Sequence, residues 1–493
     1  MKNNRAFATL ISVFFFWGFV AASNEILIPV FKENLNLEQW QGQMISFAFY
    51  VAYTVGSLLY FGLSKAFGGD ILNRIGYKNG IALGLVISAA GTLLFYPAAE
   101  LSSFGLMITG LFIVGLGFSL QQTAANPLVI SIGDPTKGSQ RLSMAGGINN
   151  FGTTIGPLIV SYAIFGAVAG AAKVDSLDAV KIPYLILGAA FLIVAVIFKF
   201  SSLPNRIDTS TESDQQHHSD TIDDALLNSK STAQTPIVVA KKSAIAYPQL
   251  WMGMIAIFLY VGVEVSTVSN LPEFMRVHLG TATEDVAPFV SLFWASLMIG
   301  RWTGAVGAFN ISDGLKGIFR FLMPYIAFGV FLIANQIAKH DTSGLYLYAF
   351  VIVALIAADY VSKGNPARQL LIFSMLGIVA LIIGMLADGM VSVYAFISVG
   401  LFCSTLWPCI FTLAIAGLGK HTSQGSGFLI MMIMGGGFVS LLQGVVSDDA
   451  ILGIQYSYVI GVMCFAYLAF YGWKASSILR KQGITYDVKQ GGH

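Results

Sequence analysis

Two acidic residues interrupt long apolar runs of the sequence. Glu25 ends the polar run Ser23-Asn24-Glu25, and Glu264 lies in FLYVGVEVSTVSN, which closes with Asn270. An ionisable side chain at the middle of a bilayer costs roughly 2.5–3.5 kcal/mol on insertion scales, and such residues usually mark ion or substrate pathways. We therefore predict that both carboxylates face one central polar cavity. The alternative for each is a structural carboxyl that is paired with a buried donor.

Amide side chains form a second polar group in apolar surroundings. The run SLQQTAANP contains Gln121, Gln122 and Asn126, and GGINNFG contains Asn149 and Asn150. An amide both donates and accepts hydrogen bonds, as every sugar hydroxyl does, so these residues suit a sugar as ligand. Amides also join neighbouring membrane helices. That alternative weighs as much as ligand binding for Asn126 and Asn150, and less for Gln122 and Asn149.

Aromatic residues near these polar runs are further candidates for the ligand site. A flat ring packs well against the C–H face of a sugar, although packing between helices is the more common role of any single aromatic. The candidates are Trp17, Tyr50, Tyr53, Tyr260, Trp294 and Trp407.

Several classes of function are excluded. The segment GGDILNRIGYK has no GK[ST] and is not a phosphate-binding loop, so ATP-driven pumping has no motif here. No catalytic constellation is present, and we predict neither an enzyme nor a cofactor. The net charge of +2 gives no electrostatic case for nucleic acid. The three cysteines, Cys403, Cys409 and Cys464, have no metal-ligand spacing and are predicted to be small buried apolar residues.

The elements that must position these residues are membrane-spanning helices. Of the 493 residues, 56% are hydrophobic and 11% are charged, whereas soluble domains have about 25% charged residues. A span needs about 20 mostly apolar residues, and the N-terminal run is long enough to be a retained helix rather than a signal peptide. About fourteen runs qualify: 6–31, 40–66, 79–98, 103–132, 140–170, 182–203, 248–275, 285–309, 316–338, 344–362, 369–388, 390–418, 424–446 and 452–478.

The basic residues indicate the orientation of these spans. If every run crosses the membrane, most lysines and arginines fall on one side, including Lys2, Arg5, Lys241, Lys242 and Arg480. Basic residues concentrate on the cytoplasmic side of membrane proteins. We therefore predict a multi-pass protein of the cell inner (plasma) membrane with both termini in the cytoplasm.

A weak internal repeat divides the chain into two halves. Aligning Gly18 with Gly262 places aromatics, a polar cluster and a proline at similar offsets. We predict a six-helix bundle over 1–203, a polar cytoplasmic linker over 204–246, and a second bundle over 247–493. Transporters built from such repeats bind solute near the midplane between the repeats and expose the site to each side in turn.

The segment GDILNRIGYK resembles the loop signature of the major facilitator superfamily, with Gly69, Arg74 and Gly76 at matching positions. Asn73 replaces the usual Asp, and Tyr77 replaces a basic residue. The segment GRWTGAVGAF, which begins with Gly300 and Arg301, occupies the corresponding place in the second half. The resemblance implies that these residues form loops that control gating.

Longer runs are similar to the fucose–proton symporter family, which includes glucose/galactose carriers and sodium-dependent glucose transporters. They include FFFWGFVAASNEILIPVF, QQTAANPLV, RLSMAGGINNFG and GSGFLIMMIMGGGF. The resemblance implies an all-α major facilitator fold and cation-coupled symport of a hexose such as glucose, galactose or fucose. We expect a monomer. The predicted spans 316–338 and 344–362 form an insert relative to the family pattern, that is, a two-helix hairpin at about 316–362.

The same resemblance implies roles for the polar residues. Glu25, beside Asn24, stands where the family has the carboxylate that takes up the coupling proton, and Gln122 replaces a second acid that helps bind sugar. Glu264 is expected to supply the missing charge. Since Gln122 cannot titrate, sodium held at Glu25 is an alternative to the proton, because a carboxylate with nearby carbonyl and amide oxygens can ligate a cation.

The remaining candidates for substrate contact are Gln121, Asn126, Asn149, Asn270, Trp294 and Trp407. A proton-coupled drug or solute antiporter is an alternative function, favoured by the string GTTIGP at 152–157 and by the count of fourteen spans. An uncoupled sugar facilitator and a non-transporting sugar sensor are two more.

Overall fold

The fold is known from a computed structural model. It describes residues 9–21, 35, 37–67, 71–131, 138–165, 178–201, 203–205, 243–282, 285–306, 312–418 and 422–484. Glu25, Asn24, Gly69 and most of the predicted linker lie outside these ranges. Within them all regular structure is helical, as predicted.

Sixteen main helices make up the described chain. They are α1 Thr9–Ala21, α2 Gln39–Ala66, α3 Tyr77–Leu93, α4 Phe104–Ser131, α5 Gly138–Phe165, α6 Asp178–Phe200, α7 Pro248–Leu279, α8 Ala287–Ala305, α9 Asp313–Ile337, α10 Tyr348–Ser362, α11 Pro366–Leu386, α12 Gly389–Cys403, α13 Leu406–Ile415, α14 Thr422–Met431, α15 Gly435–Val446 and α16 Val459–Lys481. Single-turn helices such as Ile71–Ile75 and Phe95–Glu100 connect some of them.

Eleven stretches of the described chain are long and apolar enough to cross a membrane. The predicted spans absent from these eleven correspond to α1, of which the structure describes 13 residues, and to α5 and α8, which contain many small and polar residues. A multi-pass membrane architecture is therefore present. The count of fourteen and the division into two bundles stay predictions.

Proline explains why the predicted span 390–418 contains two helices. A proline clashes with the carbonyl of the residue four positions earlier and removes a backbone donor. Pro408 lies in the first turn of α13, so its partner carbonyl would be that of Ser404, where α12 has just ended. The break leaves the Ser404 carbonyl outside the helical ladder and open to another donor.

The segment that the sequence predicts to be an insert forms two helices, α9 and α10. It lies at the periphery, because only about a quarter of each of its apolar stretches is buried inside the protein. Helix α9 packs mainly on α8 and also reaches α5, while α10 packs on α11 and α12. The hairpin thus contacts helices from both halves of the sequence.

Candidate functional site

Glu264 occupies the middle of α7 and is partly buried. The hydroxyl of Tyr260, one turn earlier on the same helix, donates a hydrogen bond to its carboxylate. Trp407 lies against Tyr260, with ring centroids 6.0 Å apart and an interplanar angle of 58°. Helices α7 and α13 thereby place a carboxylate, a phenol and an indole side by side. This group, Tyr260, Glu264 and Trp407, is called the acidic cluster below.

Arg301 of α8 is a positively charged residue that influences this cluster. Its charge interacts with the Glu264 carboxylate, although the two groups form no ion pair within 4 Å in the described structure. The guanidinium instead donates to three neutral acceptors: Asn150 Oδ1 at 3.0 Å, Gly146 O at 3.5 Å and Ser404 O at 3.3 Å. Arg301 therefore joins α5, in the first half of the sequence, to the carbonyl that the break before α13 releases.

The structure places Arg301 inside α8 rather than in the gating loop that the sequence suggested. The helix continues for four residues past Arg301 and ends at Ala305. Arg74 lies in the short helix Ile71–Ile75 and is exposed, with its guanidinium carbon 6.0 Å from the centroid of the Phe67 ring.

Gly76 forms the tight connection between Ile71–Ile75 and α3. Its φ of 90° lies in the region that favours glycine, and a Cβ there would be 2.1 Å from the side-chain oxygen of Asn205. This position of the predicted gating loop is therefore explained by backbone geometry.

The neighbouring residues Gln121 and Gln122 have different environments. Gln121 is fully buried, accepts a hydrogen bond from Trp17 Nε1 at 2.8 Å and donates to Ser88 Oγ at 3.0 Å. Both ends of this amide are used to join α1, α3 and α4, which differs from the predicted role in substrate binding. Gln122 is only partly buried and donates to the Tyr53 hydroxyl at 3.1 Å.

The predicted asparagines also divide by environment. Asn149 donates to Phe14 O at 2.9 Å and so joins α5 to α1, while Asn126 is partly buried on α4. Asn270 is fully buried and donates to Ser266 O one turn back in α7 at 2.8 Å. These bonds favour structural roles for Asn149 and Asn270.

Trp294 of α8 carries an unused donor. Its side chain is 4% exposed, and the buried Nε1 has no hydrogen-bond acceptor among the residues that the structure describes. The Ser266 hydroxyl and the Asn150 amide nitrogen are also buried and have no hydrogen-bond partner among the described residues. Because a buried polar group without a partner costs about 1–3 kcal/mol, these atoms are candidates for contact with water or a solute.

One pair of charges in the inserted hairpin is not among the predicted site residues. Asp359 of α10 is partly buried and interacts electrostatically with Arg320 of α9. Asp359 also accepts from Gln369 Nε2 at 3.3 Å, which ties the inserted hairpin to α11. The opposite charges of Arg320 and Asp359 in two consecutive apolar runs were the signal that could have revealed this pair. The cysteines are confirmed as buried.

Two contacts join helices of the two halves. The polar seam is formed by α5 and α8: besides the bonds of Arg301, Ser291 Oγ donates to Thr154 O at 2.7 Å. The glycine seam is formed by α2 and the α14–α15 segment, where Gly436 and Gly437 face α2. Within the described residues, helices from both halves thus meet along these two seams and also where α9 reaches α5.

The family model of the Major Facilitator Superfamily matches residues 6–358. The chain belongs to this superfamily. Members of this superfamily are transporters, and the chain is not an enzyme, as predicted.

Three relatives match this chain over at least 90% of their own length. The chain is 32% identical to a "Glucose/galactose transporter" of Brucella abortus over 475 residues, covering 96% of this chain and 94% of the relative. It is 29% identical to a "Putative glucose/galactose transporter" of Helicobacter pylori, covering 96% and 97%. It is 28% identical to the "L-fucose-proton symporter" of Escherichia coli, covering 93% and 90%. The predicted family resemblance is thus confirmed.

Solved structures of the superfamily have the same fold. The transporter FucP in the outward conformation matches with a TM-score of 0.63 and 25% identity, covering 97% of this chain and all of that one. An inward-facing bacterial homologue of the lysosomal transporter Spinster matches with a TM-score of 0.56 and 13% identity, covering 98% of this chain and 99% of that one. The second match shows the fold alone. The predicted major facilitator fold is confirmed.

Proposed function

We propose that this superfamily member is a secondary active transporter that carries a hexose, such as glucose, galactose or fucose, by symport with a cation. The observation that carries the proposal is the 32% identity to a glucose/galactose transporter across almost the full length of both chains. Alternating access between two repeat-related halves supplies the mechanism.

The acidic cluster and Gln122 would bind the sugar from opposite halves. The Glu264 carboxylate accepts hydrogen bonds from sugar hydroxyls, and Trp407 offers a ring face to the C–H side of the ring. The amide nitrogen of Gln122 donates to the Tyr53 hydroxyl. Its carbonyl oxygen has no donor among the described residues and can accept a hydrogen bond from a sugar hydroxyl. The unused Trp294 donor adds a further contact. A sugar that bridges α4 and α7 would stabilise the state in which the halves close around it.

Glu25 would carry the coupling cation. Entry of a proton from outside neutralises its carboxylate and lowers the cost of enclosing it in a dry cavity, because desolvation favours the uncharged form. Opening to the inside rehydrates the carboxylate and releases the ion. The similarity to an L-fucose-proton symporter favours the proton, and sodium is the second candidate.

We further propose that the protein is a monomer in the cell inner membrane with both termini in the cytoplasm. The support for this orientation is the distribution of lysine and arginine over the predicted loops.

Reconstitution into vesicles tests the proposal. Inward proton and sodium gradients are imposed separately, and the uptake of labelled glucose, galactose, fucose and mannose is followed. We expect at least one hexose to accumulate above its external concentration with one of the two gradients, and an ionophore to abolish the accumulation. Equilibration without accumulation under both gradients would indicate an uncoupled facilitator instead.

A further inference from the structure

A groove of about 390 Å³ runs along the outer face of the first half, between α3 and α6. Its floor contains Ala82 and Ala195, which are 9% and 5% exposed. Its walls include Val86 and Leu192, which are 45% and 42% exposed. Two small residues between larger ones leave a channel that is apolar along its length and open at the surface of the helical bundle.

The lining residues recur at helical spacing on both helices. On α3 they follow Asn79 at intervals of three and four up to Val86, and on α6 they run from Leu192 in the same way to Lys199. Residues three and four apart lie on one face of a helix. Seven residues of helix span about 10 Å, so the groove extends about that far from the helix ends into the apolar part of the bundle.

One end of the groove is positively charged. Lys199 is the penultimate residue of α6, and Asn79 is the third residue of α3, so both lie at the ends of stretches that are apolar enough to span a membrane. Lys199 Nζ donates to Asn79 Oδ1 at 3.0 Å, while Asn79 Nδ2 donates to Ile75 O at 2.6 Å. An ammonium group has three donors. Among the described residues Lys199 Nζ has no other acceptor, so two of its donors are left for an anion above the groove.

We propose that this groove binds one anionic phospholipid. The headgroup phosphate contacts Lys199, and one acyl chain lies over Ala82 and Ala195, between Val86 and Leu192. Charge complementarity at one end and a continuous apolar channel at the other fit a molecule that is anionic at its head and apolar along its tail. In the proposed orientation of the chain, this lipid belongs to the cytoplasmic leaflet. The assignment does not depend on the nature of the transported solute.

Native mass spectrometry on the full chain, released from nanodiscs of phosphatidylethanolamine with phosphatidylglycerol, tests the proposal. We expect the wild type to retain one phosphatidylglycerol molecule in preference to phosphatidylethanolamine. Ala195→Leu fills the floor of the groove, and Lys199→Gln removes the charge while keeping a polar side chain. Each variant should lower the retained phosphatidylglycerol at least fivefold.

Lys474→Gln is the matched control. Lys474 is an exposed lysine in the last two turns of α16, 5.8 Å from the centroid of the Trp473 ring, and does not line the groove. The control should retain phosphatidylglycerol as the wild type does. Unchanged retention in Lys199→Gln, or an equal loss in Lys474→Gln, would overturn the site. Equal retention of both lipids by the wild type would overturn the anionic headgroup. If Ala195→Leu does not fold, Lys199→Gln decides alone.

Discussion

The polar seam and the glycine seam join the two halves by different interactions: hydrogen bonds from a charged side chain in the first, and close packing of small residues in the second. In the polar seam, Arg301 donates to Asn150 and to the Gly146 carbonyl, so the contact depends on direction and charge. In the glycine seam, a Cβ on Gly437 would lie 2.8 Å from the Cα of Phe47, and the rings of Phe47 and Phe438 lie 5.1 Å apart. That contact depends mainly on shape.

The difference indicates a division of roles during alternating access. A shape-dependent contact tolerates rolling of one helix over another as long as the small residues stay opposed. A charge-dependent contact responds to a nearby change in charge, and Arg301 is joined through Ser404 O to the start of α13, the helix that carries Trp407 of the acidic cluster. We therefore infer that the polar seam senses the occupancy of the acidic cluster, while the glycine seam acts as the pivot.

The largest expected effect is at the pivot. Gly437→Leu forces a side chain into the backbone of α2, and overpacking of this kind costs about 1–3 kcal/mol. We expect the initial rate of hexose uptake in vesicles to fall at least tenfold. Gly329→Leu is the matched control, because a Cβ on Gly329 in α9 has nothing within 4 Å. Equal loss in both variants would show that the effect is not specific to the seam.

Arg301→Ala is expected to have the next largest effect. It removes three hydrogen bonds from a charged donor, two of which are long at 3.3 and 3.5 Å, and it introduces no steric clash. Uptake should slow about tenfold. Arg301→Lys keeps the charge but lacks the planar fork and should recover part of the rate. Arg276→Ala, at an exposed ion pair with Glu273, is the control and should be near wild type. A fully active Arg301→Ala variant would remove the sensing role.

Asn150→Ala should have a smaller effect, about threefold, because it removes only one acceptor of Arg301, while its own amide nitrogen has no partner in the described structure. The double variant with Arg301→Ala should be no slower than Arg301→Ala alone, since contacting residues are not additive. The measurement is a double-mutant cycle on uptake rates. If the losses in uptake rate are fully additive, Arg301 and Asn150 act independently and the proposed coupling between them is wrong.

The smallest expected effect distinguishes the neighbouring amides. Gln121→Ala breaks two buried hydrogen bonds and should lower the Tm by a few degrees while KM for the sugar stays unchanged. Gln122→Ala should raise KM a few-fold and leave the Tm unchanged. Tm is measured by thermal unfolding in detergent, and KM by uptake. The reverse pattern would exchange the assigned roles.

The sequence predicts the membrane architecture, the family and the polar residues of the candidate site, since composition and run length determine what can lie in lipid. It does not separate Gln121 from Gln122, because adjacent residues on a helix point about 100° apart and only the neighbouring helices decide which of them is buried. Nor does it pair Arg301 with Ser404, because that contact needs both the break caused by Pro408 and the packing of α8 on the broken helix.

The most direct test concerns the proposed separation of ion coupling from sugar binding. Sugar exchange across vesicles and gradient-driven accumulation are both measured for the wild type, Glu25→Gln and Glu264→Gln. We expect Glu25→Gln to keep exchange and lose accumulation, because its side chain cannot bind and release a proton. Glu264→Gln should weaken both by raising KM. Full accumulation in Glu25→Gln would contradict the proposed coupling.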